Sequence, residues 1–350
     1  TVFASETVAL DIVGAHFVRE VEPGELIRVD FDGKNLRLLT PEDGNHSVTI
    51  SPSGRYFFDS YSQPNVPPVS VVRDMEGNLL ATIEKTDISR LAATGWKAPQ
   101  MFSVKARDNV TDIYGLMYTP SNLDPNKKYP VLVYTYAGPH APSVRNAFGG
   151  TRYMWHQMLA QRGYVIWVLD NRAASAKGVK SAHSSFHNFG EPELRDLLDG
   201  VAWLGRQPWV DTSRIGIWGW SFGGFMTAYA VTHSNAFKIG IAGAPVTDWR
   251  LYDSVYTERY MGLPGTNAAG YDRSSVVKAA ANLEAKLLLI HGAVDDNVHL
   301  QNSVVFVDAL QKAGKPFEFM VYPQSRHGVT HPLRVKHLRE MMTRFILENL

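Results

Sequence analysis

A doubly wound α/β domain with a mostly parallel sheet, preceded by a smaller all-β segment, is the fold class that this 350-residue sequence predicts. Three observations predict it. From about Pro99 onward, apolar strands alternate with amphipathic helices. Before about Glu84, short β segments follow one another between turns. Within the later part, Gly219-Trp220-Ser221-Phe222-Gly223-Gly224 joins a strand to a helix through a sharp turn.

The early segments are residues 25–30, 35–40, 46–50 and 55–60, then the pair 69–72 and 79–83, with turns at Asp32-Gly33, Ser51-Pro52-Ser53-Gly54 and Glu76-Gly77. Strands at this spacing with such turns predict one propeller blade and part of another, on a period of roughly 40 to 45 residues. One or two blades cannot close a ring, which takes typically 4 to 8. Residues 1–94 are therefore expected to be the C-terminal part of a larger β-propeller. Its other blades are expected on a longer precursor or a companion chain, since unpaired blade edges invite strand pairing. The chain starts at Thr1 without a Met, and residues 1–6 lack the basic and apolar regions of a signal peptide. A start further upstream is expected.

Residues 95–350 form the expected α/β domain. Residues 131–136 and 164–169 are nearly continuous apolar runs, as in strands buried on both faces, and residues 153–160 are helical between them. Leu194, Leu197, Leu198, Val201 and Leu204 recur at spacings of three and four, the stripe of a helix packed on a sheet. The strand of residues 215–218 follows, then strand 287–290, helix 303–313, strand 317–321 and a last helix over about 332–347. In such a domain, ligands sit beyond the carboxyl ends of the strands.

The turn at Ser221 has the form of a nucleophile elbow. The backbone there is strained, so the positions two before and two after the serine must be small, and Gly219 and Gly223 are. Ser221 is then the candidate nucleophile. The Phe222 N–H, at a helix start, can hold an oxyanion. A serine hydroxyl is too weakly acidic to attack unaided and needs an imidazole base, itself oriented by an acid. In α/β-hydrolases the chain order is serine, acid, histidine. Here one strand runs into His291-Gly292-Ala293-Val294-Asp295-Asp296 and the next into Ser325-Arg326-His327. The separations are 295 − 221 = 74 and 327 − 295 = 32 residues, room in each case for the intervening elements. His327 is the candidate base. Asp295 and Asp296 cannot both be the acid; the other is expected to cap a turn or pair with an arginine.

Composition narrows the alternatives. With 45% hydrophobic and 20% charged residues the chain is an ordinary globular one, and Lys+Arg 35 against Asp+Glu 34 provides no field for nucleic acid or an anionic membrane. There is no cysteine, which excludes disulfides, thiolate chemistry and cysteine-ligated metal. His183/His187 and His327/His331 have helical spacing but not the H-E-x-x-H pattern, so no metal is expected. No organic cofactor is expected either.

Longer stretches resemble the prolyl oligopeptidase family of serine peptidases, in its dipeptidyl peptidase IV branch. They are Tyr134-Thr135-Tyr136-Ala137-Gly138-Pro139, the elbow itself, Ala244-Pro245-Val246-Thr247-Asp248-Trp249, residues 252–262 and residues 291–299. The resemblance covers about residues 95–350 and, more loosely, the blade-like part. It implies an α/β-hydrolase fold preceded by the end of a β-propeller, and release of N-terminal Xaa-Pro or Xaa-Ala dipeptides without a cofactor. It makes Asp295 the acid beside Ser221 and His327, and gives the Tyr136 hydroxyl as a second oxyanion donor beside Phe222. Phe222, Val246, Trp249, Tyr252, Tyr256 and Val298 would wall an apolar S1 pocket, where an aromatic slot suits a flat proline ring. Asn297 would bind the carbonyl before the proline. A homodimer and a periplasmic, secreted or cell-surface setting are further implications.

The chain departs from that branch in two ways. Phe222 stands where tyrosine is usual, which keeps the backbone donor and drops a hydroxyl. The glutamate pair that holds the substrate amine in the branch has no match here, and Glu6, Glu20 and Glu22 stand in the wrong context to replace it. Xaa-Pro tripeptidyl peptidase, acylaminoacyl peptidase or oligopeptidase and plain esterase activities are the rival hydrolase readings. A non-catalytic interaction protein need not retain Ser221, Asp295 and His327.

Overall fold

A computed structural model describes residues 25–32, 34–174 and 178–350. Glu6, Glu20, Glu22 and Gly33 lie outside the described residues. The chain divides into two compact units, the first comprising the described residues up to Gln100 with Arg145–Met154 and the second Met101–Val144 with Trp155–Leu350.

In the first unit, β1 (Ile27–Arg28) pairs antiparallel with β2 (Arg37–Leu38). A four-stranded antiparallel meander follows: β3 (Asn45–Ile50), β4 (Tyr56–Gln63), β5 (Val66–Asp74) and β6 (Leu79–Lys85). Four strands in this order are the form of one propeller blade. Gly77, in the β5–β6 turn, has a φ of +86°, where a side chain is strained, and a Cβ there would stand 3.2 Å from the Leu39 backbone. His46 Nδ1 meets the buried Asp59 carboxylate at 2.9 Å, pairing a charge that burial would otherwise penalise. Arg145–Met154 joins this unit by specific contacts: Asn146 Nδ2 donates to Asp43 Oδ1 at 2.9 Å and the Phe148 N–H to Ser62 Oγ at 3.1 Å.

The second unit is built on an eight-stranded sheet of order β14-β13-β12-β11-β9-β10-β8-β7. Its strands are β7 (Gln100–Lys105), β8 (Asp112–Tyr118), β9 (Tyr129–Tyr134), β10 (Val165–Asp170), β11 (Val210–Trp220), β12 (Ile239–Gly243), β13 (Lys286–Gly292) and β14 (Glu318–Tyr322). From β10 through β9 to β14 all pairings are parallel, and β8 runs antiparallel to β10. Helices α1 (Thr151–Gln161), α2 (Glu191–Leu204), α3 (Phe222–His233), α4 (Ser254–Met261), α5 (Gln301–Lys312) and α6 (Pro332–Asn349) are the main ones. The apolar runs are explained by their burial: every residue of β10 and of β12 is buried. This is the α/β-hydrolase arrangement, preceded by small antiparallel sheets. Among the described residues no helix is long and apolar enough to cross a membrane.

Strand β12 is the central element that sequence reading passes over. Its sequence, Ile239-Gly240-Ile241-Ala242-Gly243, has too few side chains to show a pattern, and the glycines have a packing cause. A Cβ on Gly240 would approach Val231 of α3 to 2.9 Å, and one on Gly243 would lie 2.0 Å from the Trp220 ring. Close packing of α3 on Gly240 and of the Trp220 ring of β11 on Gly243 erases the strand signal. What the sheet does for function is to bring five chain segments to one edge, because β9, β11, β12, β13 and β14 all end on the same side.

Candidate active site

Ser221 follows the last residue of β11 and precedes the first of α3. Its φ of 62° and ψ of −122° lie outside the regions that L residues ordinarily adopt. The turn is held by the Ser221 N–H, which donates to Gly243 O at 2.8 Å, and by its carbonyl, which accepts from the Phe225 N–H at 2.9 Å. The flanking glycines are small for a measurable reason. A Cβ on Gly219 would lie 2.3 Å from Gly223 O, one on Gly223 2.3 Å from Thr135 O, and one on Gly224 2.2 Å from Gly243 O. Backbone stands at each of those points, so no side-chain motion relieves the clash.

His327 lies in the loop after β14 and faces Ser221: its Nε2 is 2.8 Å from Ser221 Oγ. Its Nδ1 is 2.8 Å from Asp295 Oδ2. A carboxylate only accepts, so Nδ1 carries the proton and Nε2 presents a lone pair to the serine hydroxyl. That is the protonation a general base requires. The His327 carbonyl in turn accepts from Trp220 Nε1 at 2.7 Å, tying the loop to the residue before the nucleophile.

Asp295 lies in the loop after β13 with its carboxylate fully enclosed. Burial alone would push its pKa up. Hydrogen bonds from His291, His327 and the Asn297 N–H outweigh burial and hold the carboxyl well below the usual carboxylate range. Oδ1 accepts from the N–H groups of Asn297 and Val298, both at 3.0 Å. Oδ2 faces His327 and, at 3.3 Å, His291 Nε2. The neighbouring Asp296 points the other way and pairs with the exposed Arg326 at 2.7 Å. His291, at the end of β13, stands behind this loop. Its Nε2 lies 2.8 Å from Val298 O, its Nδ1 2.8 Å from Ser303 Oγ, and the ring is buried. It braces the acid loop from behind, a contact that no local pattern announces.

Around the serine, Phe222 is the first residue of α3, and the first N–H groups of a helix have no intrahelical acceptor. Tyr136 lies beyond the end of β9 with its ring 6.2 Å from that of Phe222. Among the described residues, the Tyr136 hydroxyl takes no hydrogen-bond partner. It lies within electrostatic reach of Tyr252 and Tyr256. The Tyr252 phenol is pushed up to about 12 by burial first, then by Asp253 and Tyr136; the Tyr256 phenol is raised by burial, then by Tyr136.

The residues expected to wall a pocket are brought together in one aromatic cluster, in two layers. Val246, Trp249 and Val298 are enclosed, whereas Tyr252 and Tyr256 are only part-buried. Trp249 is the hub, with ring centroids 5.2 Å from Phe222, 5.8 Å from Tyr252 and 6.2 Å from Tyr256. Asn297 is exposed, and its Oδ1 accepts from the Tyr252 hydroxyl at 2.7 Å. With the amide oxygen taken up there, the NH2 group is turned to donate elsewhere. One member of the cluster escaped sequence reading altogether: Phe189, fully buried just before α2, with its ring 4.7 Å from Trp249.

Ser221, His327 and Asp295 thus stand in hydrogen-bonded series beside an apolar cluster. Residues 151–350 match the model of the prolyl oligopeptidase family. Human dipeptidyl peptidase 8 is 35% identical over 347 residues, 96% of this chain and 37% of that protein. The crystal structure of Porphyromonas gingivalis dipeptidyl peptidase 4 superposes with a TM-score of 0.87 at 33% identity, covering 93% of this chain and 46% of that one. A putative dipeptidyl aminopeptidase IV from Bacteroides ovatus gives a TM-score of 0.88 at 34% identity, covering 94% and 47%. The chain thus spans less than half the length of these relatives. With Ser221, His327 and Asp295 joined by hydrogen bonds beyond the strand ends of one sheet, and similarity over nearly its whole length, this chain belongs to the prolyl oligopeptidase family of serine peptidases.

Proposed function

We propose that the chain is the catalytic portion of an exopeptidase that releases N-terminal Xaa-Pro or Xaa-Ala dipeptides through an acyl-enzyme. The observation that carries this reading is the continuous series Ser221 Oγ, His327 Nε2, His327 Nδ1, Asp295 Oδ2, each step at 2.8 Å or within one ring. Ser221 Oγ attacks the carbonyl carbon of the scissile bond while His327 Nε2 takes its proton. The developing oxyanion is held by the Phe222 N–H and the Tyr136 hydroxyl. His327 then gives the proton to the leaving amine, and water enters by the same steps in reverse to free the dipeptide. Asp295 keeps His327 in the working tautomer and stabilises its cation.

Val246, Trp249, Tyr252, Tyr256 and Val298, with the Phe222 ring, form the S1 pocket for the flat apolar proline ring, and the Asn297 NH2 binds the preceding carbonyl. The names of the relatives support the dipeptidyl product over the tripeptidyl one. The same reading divides the protein into propeller residues 1–94 and catalytic residues 95–350. The remaining blades and the anionic anchor for the substrate amine lie on a longer precursor or a companion chain. It includes a homodimer and a periplasmic, secreted or cell-surface setting, both resting on resemblance.

Tyr136→Phe removes one oxyanion donor and nothing else. It should lower kcat by about 10²–10³, the usual cost of such a donor, with little change in KM. The dipeptidyl reading is tested by comparing cleavage of an Ala-Pro chromogenic amide with its amine free and acetylated, using Ser221→Ala as the blank. Strong preference for the free amine supports an exopeptidase; equal cleavage of both would replace it with a less discriminating prolyl peptidase.

A further inference from the structure

Phe189 and Glu193 are buried beside the aromatic cluster and have no part in the chemistry described above. Phe189 is fully enclosed, so it cannot touch a substrate. Its ring stands against the lining instead: 4.7 Å from Trp249, 5.1 Å and edge-on to Phe222, and 6.4 Å and stacked on Tyr256. It thus backs three walls of the pocket at once. Its N–H points at Met261 Sδ of α4, 3.4 Å away. That contact is weak; the chain before it is tied at His187, whose N–H donates to Tyr260 O at 2.8 Å and whose carbonyl accepts from Asn267 Nδ2 at 3.0 Å, which leaves the chain after Phe189 as the second anchor of the ring.

The other side is the start of α2. Gly190 follows Phe189 with a φ of +100°, and a Cβ there would strike the Tyr229 ring of α3 at 2.7 Å. The backbone is therefore pressed directly against α3, the helix that begins at the nucleophile. What holds it in that conformation is Glu193, whose Oε2 accepts from the Gly190 N–H at 2.7 Å. Glu193 is itself enclosed. Burial pushes its carboxyl up to about 7, against the hydrogen bond from the Gly190 N–H. A carboxylate on the helix surface would serve equally well as a cap for an ordinary helix start. Here the cap is inside the protein, one residue from the ring that backs the pocket.

We propose that Phe189 sets the depth of the S1 pocket and that Glu193 is the positioning residue that holds it there through Gly190. This rests on the reading of the aromatic cluster as S1. Removing volume behind Trp249 and Phe222 lets them recede, so the pocket should admit a ring one methylene larger than proline. A methylene in an apolar pocket is worth about 10–200-fold in discrimination.

The test is the ratio of kcat/KM for Ala-pipecolyl and Ala-Pro chromogenic amides, measured in the full-length protein and in its Phe189→Leu, Glu193→Ala and Glu193→Gln variants. Taking a ratio within one preparation cancels any loss of folded protein. Phe189→Leu and Glu193→Ala should raise the ratio by about tenfold or more, chiefly through KM. The rate of inactivation by a small fluorophosphonate, which needs only the triad and oxyanion site, should stay within about threefold. Glu193→Gln keeps an acceptor oxygen for the Gly190 N–H and should restore the ratio. A ratio unchanged in Phe189→Leu overturns the proposal, as does a fall in inactivation that parallels the loss of peptidase activity. Glu193→Gln behaving like Glu193→Ala overturns the positioning role. If Glu193→Ala does not fold, Phe189→Leu and Glu193→Gln decide. A parent protein with no preference for proline over leucine would refute the S1 reading itself, an outcome distinct from a parent that prefers proline and variants that do not change.

Discussion

Ser221→Ala should lower kcat on an Ala-Pro amide by on the order of a million-fold, with the fold intact. The size follows from the geometry. His327 Nε2 has one productive partner, the serine hydroxyl at 2.8 Å, and Asp295 acts only through His327. Removing the hydroxyl idles all three groups together, because a base without a proton to take and an acid without a cation to stabilise contribute nothing to this route. The oxyanion donors and the pocket remain, so residual catalysis over water should persist. Stability should change little: alanine inherits the same positive φ as serine, and no hydrogen bond of the turn uses the side chain. Thermal unfolding of the variant checks that part. A loss of only a few fold in kcat would show that another group attacks.

Asp295→Asn should cost about 10⁴ in kcat, the loss expected when the histidine is held in the wrong tautomer. All the groups that face the carboxylate are donors: the N–H groups of Asn297 and Val298 on one oxygen, and His327 Nδ1 with His291 Nε2 on the other. An amide supplies one acceptor oxygen and one NH2. If its oxygen stays with the two backbone groups, its NH2 faces His327 and forces Nδ1 to accept. The proton then sits on Nε2, where it faces the serine, and the base is lost. The same substitution should be visible in acid. A carboxyl held below its ordinary pKa, for which about 4 is usual, contributes stability that is fully present above that value. That stability is lost as pH falls through the folded value. The unfolding midpoint of the parent should therefore decline more steeply below about pH 4 than that of Asp295→Asn, which has nothing to protonate there.

Much of this site was legible in the sequence because its constraints are local. The glycines at 219 and 223 are dictated by backbone atoms within a turn and by one adjacent strand, so they form a short readable word. The order serine, acid, histidine reflects the order of parallel strands, which the apolar runs announce. What could not be read depends on where side chains go in space. Asp295 and Asp296 are adjacent in sequence and alike in composition, and only their environments separate them: one is enclosed among four donors and the other pairs with Arg326 at the surface. Phe189 was hidden for the same reason, since its ring partners Phe222, Trp249 and Tyr256 come from distant parts of the chain, whereas His291 and Glu193 meet near neighbours in sequence and only their burial marks them out. Strand β12 was hidden because α3 packs too closely on Gly240, and the Trp220 ring at the end of β11 on Gly243, to allow side chains there.

The most direct test of the account is to inactivate the protein with a fluorophosphonate and locate the adduct by peptide mass spectrometry. The account predicts a single adduct, on Ser221. It also predicts that labelling is abolished in Ser221→Ala and strongly slowed in Asp295→Asn. An active protein that takes no label, or takes it on a residue other than Ser221, would contradict it.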